Sequence, residues 1–240
     1  MIPDDFTVFI LSHGRPGRID TIRSLEKCGY TGSYYIVIDD EDDTADEYIR
    51  RYGDRVIVFN KREVAATFDE GDNFGDRRAV IYARNACFNI AERLGVRYFL
   101  ELDDDYTNFA YELEKTKRTA KIRNLDGVIE AMLKFYMSIS AMSIAFAQTG
   151  DYVGGDMDSS TSASKLHWRK CMNSFFCSVD RRYRFVGRIN EDVNTYTWYQ
   201  SLGNVFLTIP YIVIQQRRTQ KNRGGMTDLY LDSGTYVKSF

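Results

Sequence analysis

Short apolar runs alternate with helix-like segments over the first hundred residues. Residues 6–11, 35–38, 56–59 and 98–102 form mainly apolar runs of strand length. Runs of this kind, bounded by turn residues, are typical of strands that are buried on both faces. Their alternation with helical segments predicts βαβ units and a mainly parallel sheet.

Helical periodicity fills the intervals between these runs. Ile19, Ile22 and Leu25 recur at helical spacing, and Gly29 fits a C-terminal stop. Residues 79–94 predict a longer helix with one apolar face.

The second half of the chain is less regular. Its pattern predicts helices at 125–137 and 191–202, and strands at 142–146, 174–179, 205–207 and 211–214. No shift in composition marks a boundary. We therefore predict a single α/β domain whose mixed, mainly parallel sheet is flanked by helices.

Composition narrows the class of protein without naming a function. The chain has 240 residues, 44% hydrophobic and 28% charged, with a formal net charge of −2, so no global charge favours nucleic acid. The four cysteines are widely spaced without a CxxC pair, which predicts free thiols in a reducing compartment. The N-terminal apolar run is too short to span a membrane and lacks a basic leader, so we expect a cytoplasmic protein with no membrane partner.

Polar clusters follow three of the predicted strands. Ser12 and His13 follow the first strand, Asp39 and Asp40 the second, and residues 103–105 the fourth. Ligands of such sheets bind outside the carboxyl ends of the strands. The sequence therefore predicts one polar rim.

The segment FLELDDDY carries the sharpest chemical signal. Mn²⁺ or Mg²⁺ needs only one or two carboxylates when substrate phosphates complete its coordination, so Asp103 and Asp105 suffice as metal ligands. The alternative is a solvated acidic turn or a helix cap. Three adjacent aspartates repel one another, however, and a cation would relieve that repulsion.

The segment IYARNACFNIAERLGVRYFLELDDD resembles the signature of GT-A glycosyltransferases. In that signature an Ala-Arg-Asn helix start precedes an apolar strand and an Asp-x-Asp turn. The resemblance implies a GT-A-like fold and a nucleotide-sugar site that includes Arg84, Asn85 and Asp104. It also implies that Ser12, His13 and Arg15 contact the nucleotide, and that Asp39 or Asp40 accepts a uracil N3–H.

GRINEDVNTYTWYQSLG matches a third block of the same family, a Glu-Asp pair at a helix start. The resemblance implies that Glu191 and Asp192 are catalytic. The acid there is a general base in an inverting enzyme and orients substrate in a retaining one. Both residues are also good helix caps, which is the alternative reading.

One departure concerns the metal. GT-A enzymes often supply a late histidine ligand, and no histidine follows His167. Water could fill that position, or one of four later side chains: Gln215, Gln216, Asp228 and Asp232.

The order and spacing of SHGRPGRI, VIDDED, YARN, LDDDY and GRINEDVN are similar to those of the phage glycosyltransferases associated with TET/JBP dioxygenases. This resemblance spans roughly residues 6–215. It implies transfer of a hexose from a UDP-sugar to 5-hydroxymethylpyrimidine in DNA, in the host cytoplasm. Residues 1–105 would then be the nucleotide-binding half of the domain, and residues 106–240 the acceptor half with a basic C-terminal segment.

Local features bear on a DNA acceptor. Trp168, Trp198 or a neighbouring tyrosine could stack on a base. Two basic stretches could follow phosphates, or be ordinary solvated surface, and the second could instead close over the donor as a lid. They consist of Lys115, Lys117, Arg118, Lys121 and Arg123, and of Arg217, Arg218, Lys221 and Arg223.

Three rival functions stay open. They are a GT-A glycosyltransferase with another acceptor, a nucleotidyltransferase, and an inactive module that binds sugar or nucleic acid. The sequence fixes neither the sugar nor the oligomeric state.

Overall fold

One nine-stranded sheet organises the protein in a computed structural model, which describes residues 2–70, 77–113, 118–148 and 171–216. The strands are β1 (Phe6–Leu11), β2 (Tyr34–Asp39), β3 (Val56–Phe59), β4 (Tyr98–Asp103), β5 (Tyr106–Leu113), β6 (Arg118–Lys121), β7 (Ser143–Gln148), β8 (Ser174–Ser178) and β9 (Phe206–Gln216). The helices are α1 (Asp20–Lys27), α2 (Ala45–Tyr52), α3 (Lys61–Ala65), α4 (Ile81–Leu94), α5 (Leu125–Ser138) and α6 (Glu191–Ser201), with short 3₁₀ turns at Gly53–Arg55 and Val179–Arg181.

The sheet is mixed, with strand order β3-β2-β1-β4-β8-β7-β9-β5-β6. The first four strands in this order run parallel, so their carboxyl ends meet at one rim. β8 is antiparallel to both β4 and β7, whereas β7 and β9 are parallel. This arrangement confirms the predicted fold class and the shared rim of polar clusters.

The two faces of the sheet carry separate cores because side chains alternate along each strand. Val8 and Ile10 join the core that includes residues of α1 and α5. Phe9 and Leu11 join the core built largely on α4. Burial on both faces explains why these strands appear in the sequence as mainly apolar runs.

The prediction was incomplete at the other edge of the sheet. β5 and β6 were not predicted, because the apolar residues of β5 do not alternate regularly with polar ones and β6 contains no large apolar residue. β9 is a single strand, so the prediction of separate strands at 205–207 and 211–214 was wrong. Pro210 lies inside β9 and lacks a ladder N–H, and the pairing with β7 shifts register after Ile209.

Two further predictions concern burial and membrane contact. All four cysteines, Cys28, Cys87, Cys171 and Cys177, are buried free thiols, as predicted. Over the described ranges, the helices are too short or too polar to cross a bilayer.

Gly29 ends α1 in a compact hydrogen-bonded motif. Its N–H donates to Glu26 O at 3.1 Å, and the N–H of Tyr30 donates to Leu25 O at 3.0 Å. Gly29 has φ +81°, and a Cβ there would lie 2.4 Å from the backbone oxygen of Arg123. Both the conformation and the close approach therefore require glycine.

We expect Gly29→Ala to lower the free energy of unfolding by several kcal/mol, because it adds a backbone clash to the usual cost of about 1–2 kcal/mol for a left-handed side chain. Gly95→Ala is the matched control, since Gly95 also ends a helix in the left-handed conformation, with φ +68°, and has open space around its Cβ position. Urea unfolding measures both variants. Equal losses would show that the clash with the segment before α5 contributes nothing.

Candidate active site at the carboxyl rim

Strand alternation directs Asp103 and Asp104 to opposite faces of the sheet. Phe99, Glu101 and Asp103 are alternate residues of β4, and Phe99 packs in the core built on α4. Asp104 begins a two-residue turn and faces the other core, where α1 lies. Neighbours in the acidic triplet therefore have different surroundings.

Asp104 is buried and connects the turn to the loop after β1. Ser12 Oγ donates to Asp104 Oδ2 at 2.5 Å, and Arg15 Nη2 lies 3.0 Å from Asp104 Oδ1. Tyr48 OH lies 2.6 Å from Ser12 Oγ and accepts from Arg15 N at 2.9 Å. Burial raises the pKa of Asp104 to about 6, and Arg15 opposes that rise. Three predicted site residues are thus held together, with Asp104 turned inward.

Arg84 lies at the centre of the other face. Its guanidinium is 1% exposed and contacts three carboxylates. Nε donates to Glu191 Oε1 at 3.0 Å, and Nη2 donates to Asp103 Oδ1 at 3.0 Å. Nη1 lies 3.6 Å from Glu101 Oε2, a separation typical of an ion pair but too long for a hydrogen bond.

The charge of this cluster depends on the protonation of Glu101. One guanidinium faces three acids, and both oxygens of Glu101 are buried without a hydrogen-bond partner among the described residues. Burial would lower the pKa of Arg84, but Asp103, Glu191 and Glu101 hold it well above its ordinary value. Burial raises the pKa of Glu101 to about 8 despite Arg84. Below about pH 8 Glu101 is mostly protonated, so Asp103 and Glu191 are the acids that balance the charge of Arg84.

Asn85 fixes the segment that leads into α6. Its Nδ2 donates to Phe185 O at 3.0 Å, and its Oδ1 accepts from Phe185 N at 2.9 Å. These paired bonds attach residues 182–190 to α4. Asn85 therefore has a positioning role: it sets where α6 begins.

Glu191 and Asp192 form the buried start of α6. Burial, reinforced by Asp192, raises the pKa of Glu191 to about 7. Asp192 Oδ1 accepts from Val193 N at 2.7 Å, and burial also raises the pKa of Asp192. Arg84 contacts Glu191 directly, so the two acids differ in their partners.

A third cluster lies at the ends of β2 and β3. His13 Nδ1 lies 2.9 Å from Asp39 Oδ2 and 3.6 Å from Asp42 Oδ2. Lys61, itself buried, places Nζ 3.2 Å from Asp39 Oδ1, so both oxygens of Asp39 have partners. Asp40 is exposed, and its Oδ1 accepts from Lys61 N at 2.9 Å.

Asp105 completes the rim. Burial raises its pKa to about 7, and Asp103 and Asp104 reinforce the rise. In the described parts of the chain, no group of three or more His, Cys, Asp or Glu side chains is arranged to hold a metal ion. Asp103 and Asp105 alone still meet the requirement of a cation that takes its other ligands from phosphates and water.

β9 ends beside this acidic turn. Gln216 pairs with Tyr106, the residue after Asp105, and Gln216 Oε1 accepts from Asn173 Nδ2 at 3.2 Å. Gln215 Oε1 accepts from Asn108 Nδ2 at 3.2 Å. Of the side chains considered in place of the late histidine, Gln216 is therefore near the rim.

Several predicted features fall elsewhere. Trp198 is described, and it lies exposed on α6 rather than at the rim. In the first basic stretch, Lys121 and Arg123 are exposed. The following lie outside the described residues: Lys115, Lys117, His167, Trp168, the segment 217–225, Asp228 and Asp232.

Sequence reasoning missed three residues of the site. Glu101 is the clearest, since a charged residue inside the apolar run 98–102 signals a buried partner. Tyr48 and Lys61 gave no local signal, because their roles depend on distant segments.

We expect the pKa of His13 to lie above its ordinary value of about 6.5, chiefly because Asp39 hydrogen-bonds its ring. The stability from a raised histidine pKa is complete below about pH 6.5 and is lost as the pH rises through the folded-state value. Burial acts to raise the pKa of Asp39, but the contacts with His13 and Lys61 outweigh it and lower that pKa below its ordinary value. The stability that ionised Asp39 contributes is therefore lost only as the pH falls into the acid range.

An NMR titration of the two histidine side chains measures this effect, with His13→Gln to assign the signal. Asp39→Asn should lower the pKa of His13, and Glu26→Gln, on the exposed surface of α1, is the matched control. An unchanged His13 pKa in Asp39→Asn would contradict the contact.

Solved structures resemble the fold over most of the chain. The mannosyltransferase PcManGT from Pyrobaculum calidifontis is 13% identical with a TM-score of 0.52, covering 90% of this chain and 58% of that one. Glucosyl-3-phosphoglycerate synthase from Mycobacterium tuberculosis is 12% identical with a TM-score of 0.47, covering 93% and 72%. S. aureus TarS 1–349 is 13% identical with a TM-score of 0.47, covering 89% and 59%. At this identity the likeness to PcManGT shows the fold alone.

Sequence comparison identifies the family. None of the curated proteins matches the chain. The family model described as TET-Associated Glycosyltransferase matches residues 6–225, which is most of the length of this chain. That span includes the rim, the Arg84 cluster and the start of α6. The chain therefore belongs to the TET-associated glycosyltransferase family.

Proposed function

We propose that the protein transfers a hexose from a UDP-sugar to the hydroxyl group of 5-hydroxymethylpyrimidine in DNA, with Mn²⁺ or Mg²⁺ as cofactor. The observation that carries this proposal is the Arg84 cluster, which joins the acidic turn after β4 to the acidic start of α6. A donor site and an acceptor site must meet in this way for group transfer. Family membership supports the transferase activity, and the family name supports the DNA acceptor.

The nucleotide is assigned to the rim of β1 and β2. His13 and Asp40 are the accessible polar side chains there, and Asp40 suits a uracil N–H donor better than Asp39 because both oxygens of Asp39 have partners. Relatives of similar fold were solved with UDP, UDP-GlcNAc or GDP-mannose. A uracil base presents one N3–H donor, which the carboxylate of Asp40 would accept.

The metal ion is assigned to Asp103 and Asp105. Asp103 and Asp105 are two residues apart at the carboxyl end of β4, and carboxylate oxygens are the ligands that Mn²⁺ and Mg²⁺ take. When bound, such an ion would neutralise charge on the departing nucleotide diphosphate. PcManGT was solved with Mn²⁺, and glucosyl-3-phosphoglycerate synthase with Mn²⁺ or Mg²⁺.

The acceptor base is assigned to Asp192, with Glu191 as its positioning neighbour. Arg84 holds Glu191 in place, whereas Asp192 has only its contact with the backbone of Val193 among the hydrogen bonds described. A buried carboxylate with a raised pKa is a stronger base than an exposed one. Asp192 would take the proton of the acceptor hydroxyl as the hydroxyl oxygen attacks the sugar.

The metal assignment predicts that Asp103→Asn and Asp105→Asn each weaken Mn²⁺ binding at saturating UDP by at least about tenfold, because even residues behind metal ligands change affinity by about 10–100-fold. Electron paramagnetic resonance of free Mn²⁺ measures the affinity. Asp104→Asn is the matched control, since Asp104 faces Ser12 and Arg15 instead. It should lower the melting temperature and leave Mn²⁺ affinity within a few-fold.

Equal Mn²⁺ affinity in wild type and both variants would contradict the metal site.

Release of UDP from a UDP-sugar identifies the transferase reaction. Release of pyrophosphate from a nucleoside triphosphate would instead identify a nucleotidyltransferase. Plain DNA and DNA with 5-hydroxymethylcytosine, compared across several donors, test the acceptor.

The base assignment predicts that Asp192→Asn lowers kcat by about 10²–10⁴-fold while donor affinity is retained. Glu191→Gln should lower the melting temperature as well as kcat, because it removes a charged partner of buried Arg84. Single-turnover transfer and calorimetric UDP binding separate the effects. Full activity in Asp192→Asn would show that Asp192 is not the general base.

A further inference from the structure

An open groove lies along α6, away from the carboxyl rim. Its cavity volume is about 470 Å³, and its lining residues are Val186, Asn194, Thr197, Trp198 and Ser201. Trp198 is 57% exposed, which is unusual for the largest aromatic side chain. Among the ring contacts described for the protein, none involves the indole of Trp198.

The groove continues the helix face that carries Glu191. Trp198 is seven residues after Glu191, so the two side chains leave the helix in nearly the same direction. Seven residues correspond to roughly 10 Å along the axis at 1.5 Å per residue. The groove is therefore an extension of the acceptor side of the site, whereas the residues assigned to the donor lie on β1, β2 and β4.

The polar lining of the groove offers mainly hydrogen-bond acceptors. Asn194 Nδ2 donates to Ile189 O at 2.9 Å, and Ser201 Oγ donates to Trp198 O at 2.7 Å. Thr197 Oγ1 donates to Val193 O. Each side chain has thus committed a proton to the backbone and keeps an oxygen for a ligand. α6 also lacks lysine and arginine, so it offers no positively charged partner for a phosphate.

Resting on the proposed function, we propose that this groove binds a nucleobase that flanks the target nucleotide, with the base stacked on Trp198. A planar ring matches the indole, and its N–H groups match the free oxygens of Asn194, Thr197 and Ser201. A separation of roughly 10 Å from Glu191 suits a base one or two nucleotides from the reacting one. The groove would then select polynucleotide over mononucleotide acceptors.

Kinetics with two acceptors test the groove. Trp198→Ala should raise KM for an oligonucleotide with a central 5-hydroxymethylcytosine by about 5–100-fold, the effect of losing one stacked base. The KM values for 5-hydroxymethyl-dCMP and for the UDP-sugar should not change, because neither contacts the groove. Leu202→Ala is the matched control, since Leu202 is also exposed on this part of the chain and does not line the groove.

Fluorescence gives a readout that is independent of catalysis. The chain contains two tryptophans, so Trp168→Phe leaves Trp198 as the single reporter. The oligonucleotide should quench its emission saturably, and the same oligonucleotide with abasic sites beside the target should not. Trp198→Phe should retain most of the oligonucleotide affinity because a ring is still present.

The outcomes separate the two proposals. If wild-type protein modifies both acceptors and Trp198→Ala changes neither KM, the groove proposal is wrong and the proposed function stands. If wild type modifies neither acceptor, the proposed function is wrong and the groove proposal falls with it. Quenching by a hexose but not by the oligonucleotide, or a changed mass in solution without a changed KM, would assign the groove to a sugar or to a second copy of the chain.

Discussion

The buried guanidinium of Arg84 is the constraint on which the site depends. An unpaired charge at 1% exposure would be very costly, so the fold must bring carboxylates to it. It draws Asp103 from β4 and Glu191 from α6, and Glu101 lies behind them. The planar guanidinium directs its N–H groups towards all three carboxylates at once, which the single ammonium group of a lysine could not do. The contacts that neutralise Arg84 therefore also hold the acidic turn after β4 beside the acidic start of α6.

The three aspartates after β4 have different surroundings because side chains alternate along a strand. Because β4 is buried on both faces, consecutive aspartates at its end enter different environments. Asp104 stabilises the loop that carries Ser12 and Arg15, whereas Asp103 contacts Arg84 on the other face. The middle residue of the motif therefore has a structural role, and the metal proposal concerns only the residues on either side of it.

Much of the fold and of the rim could be predicted because the signals are local. Apolar runs located β1 to β4, and polar residues at their ends located Ser12, Asp39 and Asp103. The Arg84–Glu191 contact spans 107 residues, and no local pattern encodes it. Family resemblance, rather than periodicity, indicated both of these residues. β5 and β6 were not predicted because neither sequence shows the regular alternation of apolar and polar residues that marks a strand.

The position of the end of β9 has a practical consequence for handling the protein. Since Gln216 pairs with the neighbour of Asp105, β9 ends beside the acidic turn. β1 begins at Phe6, at the opposite end of the parallel strands from that turn. A label attached at the start of β1 would therefore lie away from the acidic turn, whereas a bulky label attached to Gln216 would lie beside it.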